Sequence, residues 1–154
     1  MVQVLQGAGY RVRAVTNGER ALAAVKHSPP ELILLDIRLP DIDGFEVCSI
    51  LKTDPMNHQI PIIFISALDD TNAKVNAFRA GGIDYVTKPM HPEEVLARVA
   101  THLALRQLNI QLQQANKHLA IRLNELETTS TVTSSIFQVA ANQVADGMAL
   151  RTGL

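Results

Sequence analysis

Short apolar runs bounded by turn residues recur along the first part of the chain. They cover residues 32–36, 61–67 and 83–88. Continuous runs of this length are typical of strands that are buried on both faces of a parallel sheet. Residues 10–16 alternate between apolar and polar side chains, which predicts a further strand with one wetter face. The pattern therefore predicts four strands.

Segments with helical spacing separate these runs. Asp69 and Asp70 suit the N-terminus of one predicted helix, and a capping-box spacing at Thr16 and Glu19 suits another. The predicted helices cover residues 1–8, 19–28, 44–51, 71–80 and a long segment from residue 92. Strands that alternate with helices through short connections form a parallel sheet with helices on both faces. The sequence predicts an α/β, doubly wound fold.

The last predicted helix starts at Pro92 and continues beyond the sheet, because residues 93–127 contain no Gly or Pro. Apolar residues recur along it with a seven-residue period, and this row, which we call the leucine seam, is interrupted once by Arg122. The leucine seam consists of Leu105, Leu108, Leu112, Ala115, Leu119 and Leu126. Such a period is typical of a parallel two-helix coiled coil, and a helix packed on its own domain is the alternative. We expect a homodimer through this helix.

The chain is expected to have three parts. Residues 1–104 form the α/β domain, residues 105–127 the coiled-coil helix, and residues 128–154 a linker with a short helical tail. The linker is placed at residues 128–135, which are rich in Thr and Ser and form helices poorly. The tail is too short for an independent output domain.

Composition narrows the class of protein. The 154 residues are 47% hydrophobic, which is enough for a core, and the net charge of −1 gives no electrostatic argument for nucleic acid as a main partner. One Cys fits a reducing compartment. No apolar run approaches the ~20 residues of a membrane helix, and the N-terminus does not resemble a signal peptide. We expect a cytoplasmic protein without a membrane partner.

Three polar side chains end the buried strands, namely Asp36, Ser66 and Lys88. Taken singly, each has an ordinary interpretation as a turn cap, a local hydrogen-bonding hydroxyl or a solvated ammonium. The carboxyl ends of parallel strands meet at one edge of a sheet, so the three are expected to converge. A carboxylate can accept a phosphoryl group as an acyl phosphate, and a cation and a hydroxyl beside it would stabilise the phosphoryl oxygens. This combination favours phosphoryl chemistry at Asp36.

With these motifs the chain resembles a response-regulator receiver domain of two-component signalling. The resemblance covers about residues 1–104 and rests on residues 34–44, 65–67 and 82–89. It implies a flavodoxin-like sheet with the strand order 2-1-3-4-5. It also implies that a sensor histidine kinase phosphorylates Asp36. In the same family pattern Ser66 closes on the phosphoryl group, Lys88 forms a salt bridge to it, and Tyr85 is the aromatic switch.

The resemblance further implies a Mg²⁺ ion. The residues that match its ligands are Asp36 and Arg38, the latter through its backbone carbonyl. The remaining ligands of the family are an acidic pair at the end of a first strand, which this chain does not contain, so the sheet is expected to be incomplete at its N-terminus. The place of the first strand could be filled in three ways: by residues 10–16, by a second chain, or by upstream residues of a longer protein. Asp41 and Asp43 are expected to shape the turn before the next helix.

The predicted function is that of a phosphorelay response regulator, not an enzyme, which signals through the helical dimerisation segment. A degenerate receiver that only dimerises or binds partners is the alternative. A phosphohydrolase with an aspartate nucleophile is disfavoured, because Arg38 stands where those enzymes need a second Asp. A flavin-binding protein is disfavoured because no phosphate-binding loop or aromatic flavin stackers are evident.

Overall fold

The computed structural model describes residues 1–67 and 71–149, with the backbone alone at residues 71 and 140–149. The predicted Asp69 and Asp70 at a helix start lie outside the described residues, as do residues 150–154 of the predicted tail. The chain divides into two units, Met1–Gln107 and Leu108–Leu154. In chain order the elements are α1 (Val2–Gly7), α2 (Gly18–His27), β1 (Ile33–Asp36), α3 (Gly44–Thr53), β2 (Ile62–Ala67), α4 (Thr71–Arg79), β3 (Asp84–Lys88) and α5 (Pro92–Ala149).

The first unit is built on a parallel sheet with the strand order β1-β2-β3. Asp36 of β1 lies opposite Ile65 of β2, and Ala67 of β2 lies opposite Lys88 of β3. The three apolar runs therefore form neighbouring strands, and their carboxyl ends meet at one edge as predicted.

Side chains of the central strand alternate between two hydrophobic clusters, because successive residues of a strand point to opposite faces. Ile62 and Phe64 pack in the first cluster, with Val47 of α3 and further residues of α2 and α4. Ile63 packs in the second cluster, with residues of α1 and α5. Helices therefore cover both faces of the sheet, and the predicted α/β, doubly wound fold is confirmed.

The strand predicted over residues 10–16 is wrong, because this segment forms no strand in the structure. Its side chains Tyr10 and Val12 pack against the second cluster. Arg13 donates hydrogen bonds to the backbone carbonyls of Ala24 and Ser28. A strand needs a neighbour for its backbone groups, and among the described residues none pairs with this segment. An alternating pattern of apolar and polar residues is therefore not sufficient to form a strand here.

Helix α5 continues without a break through the segment predicted as a linker, so the prediction of a non-helical segment at residues 128–135 is wrong. Hydroxyl groups there bond to carbonyls one turn earlier: Thr128 to Asn124, and Thr131 to Glu127. These bonds satisfy the polar side chains within the helix itself. Among the described residues, no helix combines the length and the apolar character that a membrane crossing requires.

Candidate functional site

Asp36 and Lys88 form an ion pair at the carboxyl edge of the sheet. Lys88 Nζ donates to Asp36 Oδ2 across the end of β2, and the side chains are 46% and 31% exposed, respectively. The other carboxylate oxygen, Oδ1, accepts a hydrogen bond of 3.0 Å from the backbone N–H of Arg38. The structure thus joins two of the three predicted strand-end residues, and both oxygens of the carboxylate have donors.

The loop after β1 folds back closely on Asp36. The N–H of Gly44 donates to the carbonyl oxygen of Ile37 at 2.9 Å, and a Cβ atom at Gly44 would overlap the carbonyl oxygen of Asp36. Only glycine permits this approach of two backbone segments. The local sequence therefore fixes the position of the Asp36 carboxylate at the end of β1.

Ser66 of β2 and Tyr85 of β3 make contacts with groups other than the ion pair. Ser66 is 5% exposed, and its hydroxyl donates to the carbonyl oxygen of Ala67 at 3.1 Å. The ring of Tyr85 packs against the first cluster, and Lys74 Nζ lies 4.7 Å from its centroid. This distance is typical of a cation–π contact. The sequence did not reveal Lys74, because its position depends on how α4 packs on β3.

Asp41 and Asp43 cap helices. Asp43 Oδ1 accepts from the N–H of Phe45 at 2.7 Å at the start of α3, as expected of a turn-shaping residue. Asp41 instead accepts from the N–H groups of Gly18 and Glu19, both at 2.8 Å, at the start of α2. The hydrogen bonds from Glu19 and Gly18 lower the pKa of Asp41 to about 2. The predicted capping box is also corrected, since Asn17 caps α2 by accepting from Arg20 N–H.

A second polar cluster, which the sequence did not reveal, lies between β3 and α5. Arg98 Nη1 donates to both oxygens of Asp84, at 2.7 and 2.8 Å, and Glu94 accepts from the same guanidinium. His102 Nε2 lies 2.9 Å from Asp84 Oδ2. Burial raises the pKa of Asp84, but the hydrogen bonds from His102 and Arg98 outweigh it and lower the pKa below its ordinary value. The contacts attach α5 to the sheet.

The described residues do not fit a tightly held Mg²⁺ ion. Asp36 is the one carboxylate that they bring to the strand ends, and Asp41 and Asp43 are engaged at helix N-termini. Throughout residues 1–67 and 71–149, no group of three or more His, Cys, Asp or Glu side chains is placed to hold a metal. Mg²⁺ needs near-octahedral oxygen ligation, to which Asp36 and the Arg38 carbonyl contribute too little on their own.

Comparison with known families agrees with this geometry. The model of the response regulator receiver domain matches residues 1–100. The chain belongs to the response-regulator receiver family. A solved structure of a putative response regulator from Chloroflexus aurantiacus is 39% identical, with a TM-score of 0.65 over 66% of this chain and 84% of that one. The flavodoxin-like fold is thereby confirmed, and proteins of this family are signalling proteins.

Curated relatives are regulators of greater length. The "DNA-binding dual master transcriptional regulator RpaA" of Synechocystis is 39% identical over 117 residues, which is 76% of this chain and 47% of the relative. The "DNA-binding response regulator MtrA" of Mycolicibacterium smegmatis is 39% identical over 100 residues, 65% of this chain and 42% of the relative. The chain spans less than half the length of these relatives. Their names do not fit the expectation of no nucleic-acid partner.

Proposed function

We propose that the chain is a response regulator that acts in the cytoplasm and accepts a phosphoryl group on Asp36 from a sensor histidine kinase. The ion pair between Asp36 and Lys88 at the carboxyl edge of the sheet is the observation that carries the proposal. Phosphorylation by a histidine kinase is general for the family to which the chain belongs.

The reaction needs a nucleophile and positive charge. An oxygen of Asp36 forms the new bond to phosphorus, and the bond from phosphorus to the histidine nitrogen breaks. That nitrogen takes a proton from solvent, so that the ring leaves as neutral imidazole. Lys88 then neutralises charge on the phosphoryl oxygens. Ser66 supplies a hydroxyl after turning from the carbonyl of Ala67, and Tyr85 responds as the switch. No step is assigned to Mg²⁺, because the described residues do not fit it.

Dimerisation through the leucine seam is the second part of the proposal, with a receiver of residues 1–104 followed by a coiled-coil helix of residues 105–127. The large side chains of the seam are between 51% and 66% exposed in the single chain. A row of exposed leucines at heptad spacing is typical of a helix that pairs with a second helix. The occupant proposed is a second copy in parallel orientation.

Acetyl phosphate tests the acceptor role without the kinase. Three proteins are each incubated with acetyl phosphate, with and without Mg²⁺: the wild-type chain, Asp36→Asn and Lys88→Ala. Their masses are then measured by intact-protein mass spectrometry. We expect one added phosphoryl group on the wild-type chain, none on Asp36→Asn and a reduced fraction on Lys88→Ala. Failure of the wild-type chain to gain this mass under both conditions would remove phosphorylation from the proposal.

Among the described residues, Asp36 is the single carboxylate at the site, and this favours one alternative, a degenerate receiver that dimerises without phosphorylation. Light scattering separates the two parts of the proposal. Leu112→Glu places a charge in the seam and is expected to give monomers, whereas Gln114→Glu adds the same charge outside the seam and should leave dimers. Dimers that gain no phosphoryl group would establish the alternative, and monomers throughout would remove the dimer.

A further inference from the structure

Helix α4 places a lysine over the aromatic ring of Tyr85 in β3. Ala73 and Ala77 of this helix are 2% and 1% exposed, so the face that bears them is closely packed on the domain. Lys74 is exposed, and its Nζ lies 4.7 Å from the centroid of the Tyr85 ring. A cation at this distance is attracted by the negative face of the ring. The proposed phosphoryl transfer makes no use of this lysine.

Ser66 lies on the same face of the sheet as the Tyr85 ring. Phe64 of β2 is opposite Tyr85, and Ser66 is two residues further along the same strand. Since alternate residues of a strand point to one face, these side chains share the face that packs in the first cluster. Ser66 is 5% exposed, and its hydroxyl is turned to the carbonyl oxygen of Ala67. A turn of this hydroxyl towards Asp36 would therefore change the packing beside the ring.

The contact with Lys74 favours one position of the Tyr85 ring. The ammonium group attracts the ring where it lies now, and a ring that moved to follow Ser66 would lose this attraction. A cation–π contact at a partly exposed site changes a population by a factor of about two to five. An interaction that is present in one form of a protein shifts the equilibrium against the other form by the same factor.

We propose that Lys74 is a positioning residue, which holds the Tyr85 ring in its present place through the positive charge and thereby disfavours the phosphorylated form of the chain. The inference rests on the proposed function, because acceptance of a phosphoryl group at Asp36 is the reaction that Lys74 opposes. By linkage, occupation of Asp36 weakens the contact between Lys74 and Tyr85 as much as the contact weakens occupation.

Variants at Lys74 separate its charge from its bulk. Lys74→Met keeps an apolar stem that can cover the ring and removes the charge. Lys74→Arg keeps a charge that stacks on aromatic faces and should restore the wild-type behaviour. Lys26→Met is the matched control, because it removes the same charge from an exposed position of α2. All proteins carry Tyr10→Phe, which leaves Tyr85 as the only tyrosine and retains a ring in the second cluster.

NMR spectroscopy of the full chain tests the contact itself. Protons on Cε of Lys74 that lie over an aromatic face are shifted upfield by the ring current, and Tyr85→Leu should remove this shift. With labelled tyrosine, the single ring signal of Tyr85 should move in Lys74→Met and stay in place in Lys26→Met. Equal Lys74 shifts with and without the Tyr85 ring would overturn the proposal.

Beryllofluoride, a phosphoryl analogue that binds reversibly to a carboxylate, tests the consequence for Asp36. Fluorine NMR signals of the bound analogue are titrated with Mg²⁺ in solution, and Asp36→Asn serves as the blank. We expect Lys74→Met to bind the analogue about two- to fivefold more tightly than the wild-type chain and the two other lysine variants. In a Tyr85→Leu background, Lys74→Met should have no further effect.

The outcomes distinguish the role of Lys74 from the proposed function. Equal affinity of the wild-type chain and Lys74→Met would overturn the role of Lys74 and leave phosphorylation of Asp36 intact. Binding to none of the proteins would overturn both. Tighter binding by Lys74→Met that persists without the Tyr85 ring would assign the effect to charge near Asp36, and this would also overturn a role through Tyr85.

Discussion

At the scale of single residues, the contact between Asp36 and Lys88 is expected to contribute little to stability, and its proposed role is in phosphoryl transfer. Both side chains are partly exposed, and exposed ion pairs contribute roughly 0–1 kcal/mol to folding. The ammonium group of Lys88 lies where phosphorylation would add negative charge to the Asp36 carboxylate. One residue that helps to fix this position is small, buried and uncharged.

Gly44 is such a residue, and its replacement is expected to be costly. In Gly44→Ala the new methyl group meets the carbonyl oxygen of Asp36, so the loop must shift. We expect the free energy of unfolding to fall by about 1–3 kcal/mol. Gly7→Ala is the matched control, because nothing lies within 4 Å of its Cβ position at the end of α1. It should leave stability unchanged or raise it by up to about 1 kcal/mol. Urea titration measures both, and equal effects would contradict the close approach.

Asp41 gives the stability a defined dependence on pH. Its pKa is lowered to about 2 from an ordinary value of 3.8, so the ionised form is favoured in the folded state. Its contribution is complete above about pH 4 and is lost as the pH falls towards about 2. Asp41→Asn removes this titration and one of the two acceptors. We expect the variant to be less stable at pH 7 and its stability to fall less steeply over this range. If the stability of the variant and of the wild-type chain fell with pH in parallel, this pH dependence would not come from Asp41.

At the scale of elements, the sequence predicted what depends on local pattern. The three strands and helices α1 to α5 follow from apolar runs and helical spacing, with small differences at their ends except at the C-terminal end of α5, which extends far beyond residue 127. The strand predicted over residues 10–16 is not formed, because a strand also requires a neighbouring strand for its backbone hydrogen bonds. The role of Asp41 was missed for a related reason, since its partner helix starts more than twenty residues earlier in the chain. Ser66 and Lys88 were placed correctly at strand ends, but their distances depend on the sheet register.

The Thr- and Ser-rich part of α5 was missed because low intrinsic propensity does not forbid a helix. Thr131 is exposed and its hydroxyl bonds to the carbonyl of Glu127, so substitutions there report on helix formation alone. Thr131→Ala should slow amide hydrogen exchange of residues 128–135, and Thr131→Gly should accelerate it, since Ala and Gly differ by about 1 kcal/mol in a helix. Identical exchange in both variants would indicate that the segment is not helical.

At the scale of the whole molecule, the open question is what surrounds the leucine seam. The described residues provide no partner for these exposed side chains within the second unit. In the proposed parallel dimer each seam position faces its own copy, so Arg122 would bring two like charges together. A dimer of this kind would be weaker than an uninterrupted seam allows, and its strength would depend on salt.

Arg122→Leu is therefore expected to tighten the dimer at least about tenfold, which corresponds to about 1.4 kcal/mol. The gain comes from removing the repulsion and from burying two additional leucines. Lys117→Leu is the control, because it removes the same charge from the face of the helix opposite the seam and should change the dissociation constant little. Sedimentation equilibrium at low and high salt measures both. Added salt should strengthen the wild-type dimer by screening Arg122 and affect Arg122→Leu less. If the two leucine variants behave alike, Arg122 does not lie in the interface and the helices pair through another face.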